Sequence, residues 1–88
     1  MDTTRPMTFG EKLVGLTFNP SGDAKVQRAK ELCAELADLL QEDREDRLEK
    51  VINGSLLASG LYNTLYDHAI GEILNAQMNV VKVLTLKS

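Results

Sequence analysis

The run LTFNPSGDAKVQRAKELCAELADLL, Leu16 to Leu40, changes character partway along. It opens with a lone aromatic, a Pro and a Gly, then repeats apolar residues at helical spacing: Val26, Ala29, Leu32, Cys33, Leu36, Ala37, Leu39 and Leu40. Intervals of three and four place these on one face of an amphipathic helix, expected from Asp23 to about Lys50. Pro20 stiffens the approach. Ser21 or Asp23 suits the N-cap, where an oxygen side chain accepts a bond from an otherwise orphaned helical N–H.

Downstream, QEDREDRLEK (Gln41–Lys50) mixes charges without a continuous apolar stripe and reads as a solvated helix end. Asn53, Gly54 and Gly60 favour turns, which places a bend within 50–60. Asn53-Gly54-Ser55, formally a glycosylation triplet, reads as turn chemistry. A second broad apolar face runs from Leu61 to about Leu84 through Leu65, Ala69, Ile70, Ile73, Leu74, Gln77, Val80 and Val81. Two such helices joined by a short bend make an antiparallel helical hairpin, and one flank of its apolar face stays uncovered unless another hairpin pairs with it.

Upstream, residues 1–22 contain both Pro, four Thr and three of the six Gly, with too few periodic apolar positions for a regular element. The expected fold class is therefore all-α: an N-terminal extended arm, flexible or packed, over 1–16, then a helical hairpin domain over 17–88. Phe9, Leu13, Val14, Leu16 and Phe18 are too apolar for a solvated tail, so the arm is expected to pack, a neighbouring subunit being one acceptor.

With 88 residues, 43% hydrophobic and 26% charged, the chain is one folding domain with a small core. One Cys and one His offer no disulfide or metal staple, so self-association is expected to complete it. The net charge of −3 disfavours binding to duplex nucleic acid or a polybasic membrane contact. No stretch approaches the roughly 20 apolar residues of a membrane span and no signal-like run opens the chain, so the expected location is the cytosol.

Catalytic and metal chemistry find little support. His68 follows Asp67 and precedes Glu72 by one turn, but a zinc site needs three or four ligands and no second His exists. Cys33 stands among Ala29, Leu36 and Ala37, which suits a core thiol rather than a nucleophile. No phosphate-binding Gly loop, nucleophile elbow or paired catalytic carboxylate is present. The chain is not expected to be an enzyme or to carry a metal or cofactor.

Binding chemistry concentrates at the opening run. A helix N-terminus attracts phosphate, and Lys25, Arg28 and Lys30 fall in the first two turns. Lys25 and Arg28 share a face; Lys30 is expected to point elsewhere, toward a second subunit's site. Phe18, beside Asn19, Pro20, Ser21 and Gly22, offers a flat surface for base stacking. The plainer alternative is an arm whose Phe18 plugs the core. Gln77, within the second apolar face, either bonds to a partner helix or lines a pocket, and Lys82 either reaches a ligand or rests solvated near the helix C-terminus.

FNPSG (Phe18–Gly22), the basic helix after it, and HAIGEILNAQMNVVKVLT (His68–Thr85) together resemble the phage-encoded anti-CBASS and anti-Thoeris hairpin-domain sponges over about residues 17–85. That resemblance implies intertwined dimers or hexamers that hold cyclic dinucleotides, and in some members cyclic trinucleotides, without degrading them. The chain would then be an immune-evasion protein of the host bacterial cytosol. The resemblance puts Phe18 where the family has a stacking aromatic, usually Tyr. It assigns phosphate contact to one of Lys25, Arg28 and Lys30, and matches Ala76, Gln77, Met78 and Lys82 to the family's closing pattern. Asn79 stands where an aromatic often follows the Met. The alternative function is a helical oligomeric protein-interaction module with no small ligand.

Overall fold

The computed structural model describes residues 6–20 and 22–87, and every regular element among them is a helix: α1, Phe9–Val14; α2, Ala24–Ile52; α3, Gly60–Leu84. The expectation that residues 1–22 hold no regular element is corrected by α1, which is too short for a periodic pattern to reveal. Its ends explain it. Thr8 and Glu11 form a reciprocal capping box, the Glu11 N–H donating to Thr8 Oγ1 at 3.1 Å and the Thr8 N–H to Glu11 Oε1 at 2.9 Å. Gly15 then stops the helix in the left-handed region, φ 64°.

Asp23 caps α2, its Oδ1 accepting the Lys25 N–H at 2.7 Å. The other candidate cap, Ser21, lies outside the described residues. At the far end Asn53 Oδ1 accepts the Ser55 N–H at 2.9 Å and Gly54 takes φ 83°, the turn chemistry read from Asn53-Gly54-Ser55. Ser59 caps α3 by accepting the Tyr62 N–H at 3.1 Å.

α1 packs chiefly on α2 through small residues. A Cβ built on Gly10 would stand 2.0 Å from the Ala34 carbonyl oxygen, so only glycine permits this approach, and the Gly10 N–H donates to Asp38 Oδ1 at 2.6 Å. α2 meets α3 through Tyr66, whose hydroxyl donates to Gln41 Oε1 at 2.8 Å, and Tyr62, whose hydroxyl donates to Asp43 Oδ2 at 2.9 Å.

The buried apolar residues are Val14, Val26, Ala34, Ala37, Tyr66 and Ile73. The expected leucine face of α2 is therefore corrected in part. Leu32, Leu36 and Leu39 are each at least half exposed, because α1 docks on the neighbouring Ala34 and Ala37 face instead. The Cα trace measures 54 × 33 × 12 Å, thinner than two stacked helix layers, whose axes alone stand about 8–10 Å apart. Its accessible surface is 6664 Å², against about 5,100 Å² for a folded monomer of this mass. No helix among the described residues is long and apolar enough to cross a membrane.

Candidate functional site

A groove of about 380 Å³ opens where the turn before α2 faces the last turns of α3. The turn contributes Phe18, Asn19 and Pro20; α2 contributes Val26 and Lys30; α3 contributes Gln77, Met78, Val81 and Lys82, with Thr85 just beyond it. Seven residues singled out in the sequence thus converge: Phe18, Asn19, Pro20, Lys30, Gln77, Met78 and Lys82. Val26, Val81 and Thr85 were missed as lining residues. Their periodicity gave the signal, since Val81 is one helical turn from Gln77 and Val26 one turn from Lys30.

Phe18 does not plug the core; it is 70% exposed. Lys30 holds it there. Though only 6% exposed, Lys30 donates through Nζ to the Gly15 carbonyl at 3.1 Å and to the Phe18 carbonyl, and its Nζ lies 5.4 Å from the Phe18 ring centroid. The expectation that Lys30 points away from this site is corrected. One turn from Val26 and Ala34, it lies on the face of α2 that packs against α1 and the turn. An ammonium has three donors, so two carbonyls leave one for a ligand.

Lys82 is exposed at the rim, with no ion pair among the described residues. Of the two lysines that line the groove, it is the exposed one. Asn19 shapes the turn, its Nδ2 donating to the Asp23 carbonyl at 3.1 Å and to Gln27 Oε1 at 3.4 Å. Gly22 assists with φ 64° and donates its N–H to the Asn19 carbonyl at 3.1 Å, but does not line the groove.

Lys25 and Arg28 are not brought to the groove. Arg28 turns to the opposite flank, within 3.4 Å of Glu31 Oε1 and 3.7 Å of Glu35 Oε2. Lys25 is exposed at the helix start. The expected phosphate position at the N-terminus of α2 is already taken by the Asp23 carboxylate, which satisfies the Lys25 N–H and would repel an incoming anion. Ser21 lies outside the described residues.

Away from the groove, partial burial pushes the Cys33 thiol above its ordinary value, in the direction that disfavours the thiolate. His68 is exposed, 3.8 Å from Glu72 Oε1. Nothing in comparisons with protein-family models, curated proteins and solved structures matches this chain.

Proposed function

We propose that the chain binds cyclic oligonucleotide messengers and sequesters them without cleaving them, as a phage immune-evasion protein working in the bacterial cytosol. The observation that carries this reading is the convergence of a stacking aromatic, a free lysine and a buried amide in one groove, from segments at opposite ends of the chain. Phe18 supplies a flat face for a base, a contact worth about 1–3 kcal/mol. Lys82 meets phosphate as a point charge, and Lys30 fixes the stacking residue while offering its third donor. The described lining residues include no carboxylate, histidine or cysteine to activate a nucleophile, which supports binding over hydrolysis.

In this reading α2 and α3 form an antiparallel hairpin, and a second copy covers the open side of the groove in an intertwined dimer or hexamer. The surplus of accessible surface over a monomer of this mass supports that assembly. Calorimetric titration with a panel of cyclic di- and trinucleotides, alongside mass in solution, tests it. Expected are submicromolar binding of at least one cyclic dinucleotide at one ligand per two chains, recovery of intact ligand after heat denaturation, and loss of binding in Phe18→Ala or Lys82→Ala without loss of helicity.

The second reading, a helical protein-interaction module without a small ligand, is favoured by the exposed Leu32, Leu36 and Leu39 stripe. It requires a folded oligomer indifferent to the whole panel.

A further inference from the structure

The helical layer has two sides, and α1 furnishes only one of them. α1 sits against Ala34 of α2, and the groove opens on that same side, where Lys30 holds the turn that follows α1. At about 100° per residue, Leu32 and Leu39, two and nine residues beyond Lys30, come round to the opposite side of α2, and Leu36 is one turn from each. On α3, Leu65 and Val83 are 16 and two residues from the groove residue Val81, which turns them away from the groove as well, and Val80 neighbours Val83. All six side chains are exposed. The side of the layer away from the groove therefore carries two apolar stripes, one from each long helix.

We propose that this face docks a second copy of the chain, α2 against α2 in antiparallel orientation, so that the assembly has an interface on each side of the layer. This goes beyond the groove-side pairing and does not depend on what the groove binds. Area is the first argument for a second copy. The chain exposes 6664 Å², an excess of about 1,500 Å² over a folded monomer of its mass, and one standard interface covers only about 800 Å² per partner. Pairing at the groove alone leaves about half the excess in water. The second argument is thickness: a Cα trace 12 Å deep is a single layer, and a second layer on the stripes makes the four-helix arrangement in which such stripes are buried.

Charge then sets the orientation. The α2 stripe runs between a basic start, with Lys25 and Arg28, and an acidic continuation, with Glu42 and Asp46. Lys25, Glu42 and Asp46 have no ion pair among the described residues, and Arg28 meets Glu31 and Glu35 only at the surface. An antiparallel crossing near Leu36 brings Lys25 toward the second copy's Asp46 and Arg28 toward the second copy's Glu42. A parallel pair would set like over like. Both the apolar stripe and the reversed order of charge that fits it are thus supplied by α2 itself.

The test is sedimentation of the full-length chain without any ligand, giving mass and dissociation constant. The wild-type chain is expected to be at least a dimer. Leu36→Glu is expected to halve its mass with helicity unchanged by circular dichroism, because that side chain is already exposed in the single chain. Lys25→Glu and Asp46→Lys are each expected to weaken self-association at least about threefold at low salt, and the double variant to restore it. Should Leu36→Glu lose helicity, the charge reversals carry the test alone. A monomeric wild-type chain overturns the proposal and hands the face to a different protein. An unchanged mass in a folded Leu36→Glu overturns it by leaving assembly to the groove side. Failure of the double variant to recover association overturns the antiparallel pairing. A chain that ignores the whole cyclic-nucleotide panel yet shows the expected masses separates this face from the reading of the groove.

Discussion

The two ends of the helical layer carry polar groups in opposite ways. At the groove, two polar side chains are buried: Lys30, bound to backbone carbonyls, and Gln77, without a hydrogen bond among the described residues. At the bend, a cleft of about 230 Å³ is bordered by Arg44, Arg47 and Tyr62, each of which is engaged by another side chain of α2 or α3. Arg47 lies 3.0 Å from Asp43 and 4.4 Å over the Tyr62 ring; Arg44 lies 4.7 Å over Tyr66; both tyrosine hydroxyls donate across to α2. The difference separates charge from capacity. The bend is rich in charge but already bonded and largely exposed, so it joins helices. The groove is sparse in charge but keeps unspent hydrogen-bonding atoms in an apolar setting, where each bond to a ligand counts for more.

The most severe way to break this contrast is to undock the groove end alone. In Gly10→Ala the new Cβ would stand 2.0 Å from the Ala34 carbonyl oxygen and 2.7 Å from its carbon, and backbone cannot rotate away as a side chain can. The expected cost is about 3 kcal/mol, with α1 released and the Gly15 carbonyl lost to Lys30. Denaturant unfolding followed by circular dichroism measures the cost. Tyrosine NMR signals at the bend should stay in place under native conditions, and their collapse along with the groove would show that the two ends are one cooperative unit.

A smaller and sharper cut is Lys30→Met, which keeps the stem and removes the ammonium from the Gly15 and Phe18 carbonyls. Stability should fall by about 1–3 kcal/mol, the range for leaving a buried polar partner unsatisfied. Lys82→Met, at the exposed rim, should stay within about 0.5 kcal/mol of the parent chain. Thermal unfolding of the pair decides whether the two groove lysines differ in role. Equal stability losses would mean that Lys30 is no more structural than Lys82.

The same contrast explains what the sequence disclosed. The long helices were legible because their apolar period runs for many turns, and Asp23 and Asn53 carry cap and turn chemistry that acts within a few residues; the Ser59 cap of α3 was not read. α1 was hidden: six residues cannot show a period, and its cap pair Thr8 and Glu11 looks like any polar loop. The buried face of α2 was misjudged because hydrophobicity favours leucine, whereas close helix approach favours Gly10, Ala34 and Ala37. For the groove, residue types were readable and orientation was not. Lys25, Arg28 and Lys30 all bring a cation to the first two turns of α2, and only the docking of α1 and the turn separates the lysine that enters from the two cations that do not. The ladder at the bend escaped notice because Tyr62 and Tyr66 meet their partners across the bend, beyond the reach of local pattern.

The mildest test addresses that ladder through pH. The Tyr62 hydroxyl and then the Arg47 guanidinium hold the Asp43 carboxyl below its ordinary value, while desolvation and then Asp43 hold the Tyr62 phenol above its own. A depressed carboxyl stabilises the fold above the ordinary carboxylate range, near pH 4, and loses that contribution as pH falls through the folded value. A raised phenol stabilises it below the ordinary value near pH 10, and loses that contribution as pH rises through the folded value. The bond between them should therefore persist across the whole interval and weaken at both ends. Tyr62→Phe removes the hydroxyl that contributes most to the Asp43 shift, so the carboxyl resonance of Asp43 should titrate closer to its ordinary value, with Arg47 still holding it slightly low. Because the pair is exposed, global stability should barely move. An Asp43 titration unchanged by Tyr62→Phe would assign the shift to Arg47 alone and reduce the tyrosine's part to packing under the guanidinium. The bend would then be held by ring and cation contacts rather than by a hydrogen-bonded ladder.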